Sequence, residues 1–289
     1  LYVDDPHVQQ LSGDNFPSGD NWVWVVEFYT PWCGHCKQLA PKFSAAAASL
    51  KGVVKVGAVN CDTHGELCTA HGVRSYPAIK AFVPGSPPRD YKGERAAKAL
   101  TDWALGLLPG RVTQLTSAQA LQDFLGLCGG GSGAAAGGKG KGGKAGGAGK
   151  DRAAWALCVV LVSAKSETPA LYRALAGVYG GKIAFGELRV GAVAGKSVPA
   201  GIAAVAKQLG LDVEALQAGG GSGSSSGSSG KQQQQPLPLV LTVCNGDAAL
   251  VERYGGQVKS EQLTRHLEGY AGGKKCGKMV RLEAGTDLG

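Results

Sequence analysis

The stretch Trp22-Val23-Trp24-Val25-Val26-Glu27-Phe28-Tyr29-Thr30-Pro31-Trp32-Cys33-Gly34-His35-Cys36-Lys37 decides the fold. It passes from an apolar run, of the kind a buried parallel strand shows, into a Cys-x-x-Cys pair at the head of a helical pattern. A cysteine at a helix N-terminus faces a partial positive charge and unpaired backbone N–H groups, which favour thiolate over thiol. A thiolate is the attacking species in disulfide exchange, so the pair reads as a redox dithiol. The competing reading is half of a tetrahedral zinc site, which needs two more ligands at comparable spacing. No second Cys-x-x-Cys exists, and Cys61, Cys68, Cys128, Cys158, Cys244 and Cys276 are scattered. No metal is therefore expected.

Outward from this stretch the chain alternates strand-like and helix-like segments. Strands are expected over residues 22–29, 53–59 and 78–83, and helices over 36–50, 67–71 and 95–107. Alternation closing in a strand and a helix implies an α/β layer fold. Residues 129–150 and 219–235 are almost wholly small and polar, and cannot bury enough apolar surface to offset the entropy of ordering. They read as disordered insertions or linkers without a role of their own.

The 289 residues suffice for two domains of ordinary size. The formal charge of +8 looks like a nucleic-acid signal until it is located. Residues 1–110 balance 10 basic against 10 acidic side chains, while Lys139, Lys141, Lys144 and Lys150 supply half of the excess from one Gly-rich stretch. No basic face interleaved with aromatics is present, so no nucleic-acid partner is expected. No apolar stretch approaches the roughly 18 residues of a membrane span, and a soluble protein is expected. Eight cysteines tilt the compartment towards an oxidising one. Leu1 in place of Met fits a processed chain or a fragment, so the lack of a targeting signal carries no information.

The string from Val26 to Lys37, then Leu39-Ala40-Pro41 and Gly72-Val73-Arg74-Ser75-Tyr76-Pro77, closely resembles the catalytic thioredoxin-like domain of protein disulfide isomerases over roughly residues 1–108. Tracts such as Val54–Val59 and Val83–Pro88 resemble the plant and algal members of that family. The resemblance implies a thioredoxin fold, a central mixed sheet flanked by helices, and assigns roles. Cys33 is the exposed nucleophile, and Cys36, one turn into the helix, is the resolving thiol; Gly34 and His35 complete the active motif, with His35 tuning the pair. Glu27, the single ionisable residue of its strand, becomes the buried acceptor of the Cys36 proton, although a strand-end Glu turned to solvent is the plainer alternative. Arg95 aligns with the arginine that approaches the site and lowers the pKa of the second cysteine; an ordinary surface arginine fits nearly as well. Tyr76-Pro77 aligns with the family's cis-proline dipeptide, and Trp32 and Tyr76 border an apolar surface for unfolded chains, which is compatible with plain packing. Cys61 and Cys68 are close enough in sequence for a local bridge, as in some relatives; a second redox centre is the alternative. Cys128, Cys158, Cys244 and Cys276 read as small buried hydrophobes or free thiols.

Self-comparison reveals a repeat. Pro77–Gly85 lines up with Pro238–Gly246, and each is followed by a Tyr (Tyr91, Tyr254), a Gly two positions on (Gly93, Gly256) and Leu-Thr nine positions on (Leu100-Thr101, Leu263-Thr264). A second, degenerate thioredoxin-like domain is expected over 111–272, after a catalytic domain over 1–110 and before a 273–289 tail. Aligning 157–162 with 24–29 puts Val160 at Glu27, Ser166 at Cys33 and Pro169 at Cys36, so the second domain reads as redox-inactive. The function implied is a disulfide isomerase that makes and rearranges disulfides in cysteine-containing polypeptides. Its only redox group is the Cys33–Cys36 pair, without organic cofactor, and its expected partners are unfolded chains and glutathione or an upstream thiol oxidase. The alternatives are a dedicated reductase coupled to a chaperone and a non-enzymatic peptide-binding chaperone. The lumen of the endoplasmic reticulum is the expected address, with the plastid as alternative. Gly-Thr-Asp-Leu-Gly at the C-terminus is no retention tetrapeptide.

Overall fold

A computed structural model of the chain describes residues 1–17, 19–128, 157–191, 198–212, 237–244, 246–248 and 251–271. The Gly-rich stretch 129–150, the stretch 219–235 and the 273–289 tail lie outside the described residues. Two compact units are present, Leu1–Arg111 with Thr168–Tyr179, and Val112–Glu167 with Gly180–Gly289.

The first unit runs β1 (Gln9–Leu11), β2 (Trp24–Tyr29), α1 (Gly34–Leu50), β3 (Lys55–Asn60), α2 (Gly65–Ala70), β4 (Ala78–Phe82), β5 (Arg89–Asp90) and α3 (Ala97–Gly106). Its sheet has the order β1-β3-β2-β4-β5. β1 and β2 run parallel to β3, and β4 runs antiparallel to β2 and β5. The apolar run has no exposed face because β2 is the middle strand: every one of its residues is buried. Alternation splits those residues between two cores. Val25 and Tyr29 pack with Cys36, Leu39, Phe43 and Leu50 of α1 and Leu100 and Ala104 of α3. Val26 and Phe28 pack with Val59 and Cys68 on the other side. Helix α1 starts at Gly34, two residues ahead of the expected start, because the Cys33 side chain caps it by accepting from the Cys36 N–H. Strand β1 escaped prediction. It is three residues with two glutamines, seated against Gly57 of β3, where any Cβ would run into the Leu11 side chain.

The second unit contains β6 (Val112–Gln114), α4 (Ala118–Gly126) and β7 (Leu157–Ser163); the helix that follows, α5 (Ala170–Tyr179), groups with the first unit. β8 (Ile183–Arg189), α6 (Ala200–Gln208), β9 (Leu239–Cys244), β10 (Val251–Arg253) and α7 (Ser260–Ala271) complete it. The strand order, β10-β9-β7-β8-β6, is the first sheet's order repeated, with the same parallel and antiparallel partners. The repeat extends to detail. Tyr76-Pro77 and Leu237-Pro238 are both cis, and Gly85 and Gly246 both take positive φ, of 73° and 69°. The Tyr91 hydroxyl donates to the Glu94 carbonyl, as the Tyr254 hydroxyl does to that of Gln257. Gly93 and Gly256 leave room for the two rings, since a Cβ at either would strike the tyrosine.

Strand register corrects the internal alignment by one residue. Ile79, two beyond Pro77, pairs with Glu27, whereas Val240, two beyond Pro238, pairs with Leu161. Leu161, not Val160, therefore stands where Glu27 stands. The connection from β7 to α5 is also longer than that from β2 to α1, so neither Ser166 nor Pro169 is matched to Cys33 or Cys36 by a constant offset. No free thiol occurs in the second unit among the described residues.

The cysteine reading is corrected more substantially. Cys61 and Cys68 form the expected bridge, with Cα atoms 5.8 Å apart. Cys128 and Cys158, expected as buried hydrophobes or free thiols, are joined as well, with Cα atoms 5.7 Å apart. Cys244 is likewise disulfide-bonded, and Cys276 lies outside the described residues. Spacing could not reveal the second bridge, because a 30-residue separation is brought to bonding distance only by α4 packing on β7. By loop entropy such a bridge is worth about 3 to 4 kcal/mol. A Cys128→Ala/Cys158→Ala double variant should lose stability of that order in denaturant unfolding, and an unchanged midpoint would contradict the bridge.

Candidate active site

The site grows from the junction of β2 and α1. The chain leaves β2 at Tyr29, turns with the Cys33 N–H donating to the Thr30 carbonyl (3.2 Å), and enters the helix with the Lys37 N–H donating to the Cys33 carbonyl (3.1 Å). This fixes Cys33 as the N-cap, with its Sγ receiving the Cys36 N–H at 3.3 Å. Burial pushes the Cys33 thiol up, but hydrogen bonds from the Cys36 side chain and from the backbone N–H groups of Cys36 and His35 outweigh it and hold the thiol below its ordinary value. Those donors exist because the first turn of a helix leaves its N–H groups without intrahelical partners.

Cys36, three residues on, is fully buried in the α1–sheet core. Burial pushes its thiol up to about 12, with added push from the hydrogen bond to Cys33 and the charges of Cys33 and Glu27. The two sulfurs are therefore poised oppositely, the half-buried Cys33 thiol held below its ordinary value and the buried Cys36 thiol pushed above it. The exposed His35 contributes through its backbone amide. Gly34 is exposed and has open space around it, leaving the approach to Cys33 clear.

Glu27 points into the same core and has no exposed surface, which removes the solvent-facing alternative. Burial raises its carboxyl to about 7, against a lowering hydrogen bond from Tyr2 and the positive charge of Arg95. Its cross-strand neighbours, Ala58 and Ile79, bring no charge. The Oε1 atom is buried without a hydrogen-bond partner. Arg95 sits just ahead of α3 and donates from Nη2 to the Pro77 carbonyl at 3.3 Å.

Cis-Pro77 brings its neighbour onto the dithiol, where the Cys33 thiol donates to the Tyr76 carbonyl at 3.7 Å. Trp32, 67% exposed, meets the Tyr76 ring edge-on at 6.4 Å between centroids, and its Nε1 donates to Asp62 at 3.3 Å. Together they form an aromatic rim around Cys33. Among the described residues no group of His, Cys, Asp or Glu side chains is arranged to hold a metal ion. The residue that sequence reasoning missed is Tyr2, buried with its hydroxyl on Glu27; nothing in the local pattern around an N-terminal tyrosine points to a strand lying far along the chain.

Two measurements check this geometry. Alkylation of Cys33 by iodoacetamide should titrate below the ordinary thiol value of about 8.5, with Cys36 unreactive through about pH 9; equal reactivity of the two would contradict the placement. Glu27 carries a folded-state value near 7, above its ordinary 4.5. Its contribution to stability is therefore present below the unfolded value and lost as pH rises through about 7. Glu27→Gln, neutral throughout, should match the parent near about pH 5 and exceed it by about 2 to 3 kcal/mol near about pH 8. A difference that does not change with pH would show that the carboxyl is not held in this state.

A thioredoxin family profile matches residues 8–105. The chain is 46% identical over 125 residues to protein disulfide isomerase-like 2-3 of Oryza sativa subsp. japonica, covering 41% of this chain and 28% of that protein. It is 43% identical over 124 residues to protein disulfide-isomerase like 2-2 of Arabidopsis thaliana (40% and 28%) and 41% identical over 143 residues to protein disulfide-isomerase A6 of Mus musculus (48% and 30%). The chain thus spans less than a third of the length of these relatives. A capping Cys33 over a buried Cys36, a cis-proline facing the pair, and these matches together make residues 8–105 a thioredoxin domain similar to those of the protein disulfide isomerases.

Proposed function

We propose that the chain is a thiol–disulfide oxidoreductase that forms and rearranges disulfides in unfolded, cysteine-containing polypeptides. The observation that carries this reading is the opposite poise of Cys33 and Cys36 within one helical turn. In the reductive direction the Cys33 thiolate attacks a substrate disulfide, forms a mixed disulfide and expels one substrate thiolate. Cys36 then gives its proton to Glu27, and its thiolate attacks the Cys33 sulfur. That breaks the mixed disulfide, releases the second substrate thiolate and leaves Cys33 and Cys36 oxidised. Oxidation of substrate is the reverse sequence; isomerisation ends instead when a substrate thiolate displaces Cys33.

The energetics favour this order. While Cys33 is a thiolate, its hydrogen bond and charge hold the Cys36 proton in place. Both influences vanish when Cys33 enters the mixed disulfide, so Cys36 becomes easier to deprotonate at the step that needs it. The Trp32–Tyr76 rim and the backbone beside Pro77 receive the substrate chain, and Arg95 steadies the Pro77 carbonyl. No cofactor beyond the dithiol is required, with glutathione or an upstream thiol oxidase resetting it. The second unit is a redox-inactive spacer or substrate-binding domain; the apolar Leu161 in place of an acid supports this.

The isomerase reading is preferred to a dedicated reductase because every described cysteine outside the pair is disulfide-bonded. That pattern fits an oxidising compartment, the lumen of the endoplasmic reticulum in preference to a plastid. The test is the equilibrium potential of the Cys33–Cys36 pair in glutathione buffer, together with refolding of a scrambled disulfide protein. A value near about −180 mV with refolding activity abolished by Cys33→Ser supports an isomerase, whereas about −270 mV marks a reductase. Peptide binding retained by Cys33→Ser with no turnover in the parent would mark a non-enzymatic chaperone.

A further inference from the structure

The N-terminal segment is built around a contact that the dithiol chemistry does not account for. Tyr2 is 2% exposed, and its ring meets Tyr29 edge-on at 5.5 Å and Phe43 at 5.9 Å between centroids. Its hydroxyl donates to Glu27 Oε2. The segment that carries it is pinned by Asp5. One Asp5 oxygen accepts from the His7 and Val8 N–H groups at 2.8 and 3.1 Å, and the other accepts from the Ser44 hydroxyl on α1. Val8 then leads into β1. An aspartate anchored to α1 thus delivers a phenol into the core at the middle of β2.

We infer that Tyr2 is a positioning residue that sets the proton-accepting range of Glu27, and through it the pH range over which Cys36 resolves a mixed disulfide. This rests on the reading of Glu27 as proton acceptor. An ionised carboxylate buried among apolar side chains needs donors, and charge-assisted hydrogen bonds are the strong ones. Tyr2 is the hydrogen-bond donor found on Glu27; the other oxygen has none. The phenol also stays a donor throughout, since burial and the Glu27 charge push its own titration far up. The other charged side chain acting on Glu27 is Arg95. Glu27 in turn acts on Tyr29, Cys33 and Cys36. β3 and β4 present Ala58 and Ile79 to it, and α3 presents Leu100 and Ala104 to the same core. Without the phenol, burial would dominate further, and Glu27 would remain protonated into a higher pH range.

The experiment uses the full chain charged at Cys33 with glutathione, following glutathione release as Cys36 attacks, as a function of pH. In the parent the rate should rise with a limb near about pH 7. In Tyr2→Phe the limb should move up by about one pH unit, with a roughly tenfold loss below it and recovery above it. Cys33 alkylation should move by less than the limb, since the Glu27 charge is the smallest of the influences on that thiol. Ser44→Ala, which loosens the anchor while leaving Tyr2 intact, should shift the limb the same way by less, and it decides the matter if Tyr2→Phe does not fold. A folded Tyr2→Phe with an unmoved limb, or one slowed equally at every pH, overturns the inference. A limb that persists in Glu27→Gln overturns instead the underlying reading of Glu27. Loss of the limb in Glu27→Gln, with no further change in the double variant, supports both.

Discussion

The first unit is organised around a carboxyl that physics would exclude. Glu27 occupies the middle of the middle strand, where every neighbour along β2 is buried and the cross-strand residues are Ala58 and Ile79. An ionised group there carries a large desolvation penalty, and a neutral one still leaves polar atoms to satisfy. Isoleucine or valine would make a tighter core. The compromise is a carboxyl that titrates near neutrality, so that it can change charge at little free-energy difference. That is the property wanted in a proton acceptor lying behind a buried thiol. The surrounding structure is what makes the compromise stable: Tyr2 is strapped in to donate to one oxygen, and Arg95 brings a positive charge near while its guanidinium bonds the Pro77 carbonyl.

The second unit shows which features belong to the fold and which to the chemistry. Sheet order, strand directions, the cis-proline, the positive-φ glycine and the tyrosine with its glycine recur in both. These are frame features, needed to close the same sheet and turn the same corners. Leu161 replaces Glu27 in the frame, and a buried acid returns one strand away as Glu187 on β8, at the register position of Ala58. There it meets Gln114 at 2.9 Å and the Arg189 guanidinium at 3.1 Å. A carboxyl paired with a guanidinium is held as a structural ion pair. Glu27 instead has the Tyr2 phenol as its donor and no guanidinium at ion-pair distance among the described residues.

Much of this was legible in the sequence, for identifiable reasons. A fully apolar β2 followed by a Cys-x-x-Cys helix start has a strong local signature, and the Pro-Gly-Tyr-Gly spacing carried the repeat across 161 to 163 positions because turn residues cannot be replaced without losing the turn. What was not legible depends on packing between distant segments. β1 has no apolar pattern of its own and is a strand only because β3 offers it an edge. The Cys128–Cys158 bridge needs a helix laid on a sheet. The one-residue slip in aligning β7 with β2 arose because both runs are apolar throughout, so hydrophobicity sets no register, and only pairing with β9 does. Tyr2 was invisible for the same reason as the bridge: its partner is 25 residues away and the link between them is a surface aspartate bonded to a helix serine.

The direction of events at the dithiol follows from where one helix begins. Had α1 started a turn earlier, Cys33 would lie inside the hydrogen-bonded ladder, its sulfur deprived of the free N–H groups that lower its pKa. Had it started a turn later, Cys36 would be the cap and the buried sulfur would be the stabilised thiolate. The start is set by the Thr30 carbonyl, which accepts the Cys33 N–H as the chain leaves β2, and β2 is fixed by pairing on both edges. The opposite poise of the two sulfurs thus begins in backbone geometry, to which burial of Cys36 is added. In the proposed sequence Glu27 serves the second step, because by the time Cys36 must lose its proton, the Cys33 thiolate that opposed that loss has been consumed in the mixed disulfide.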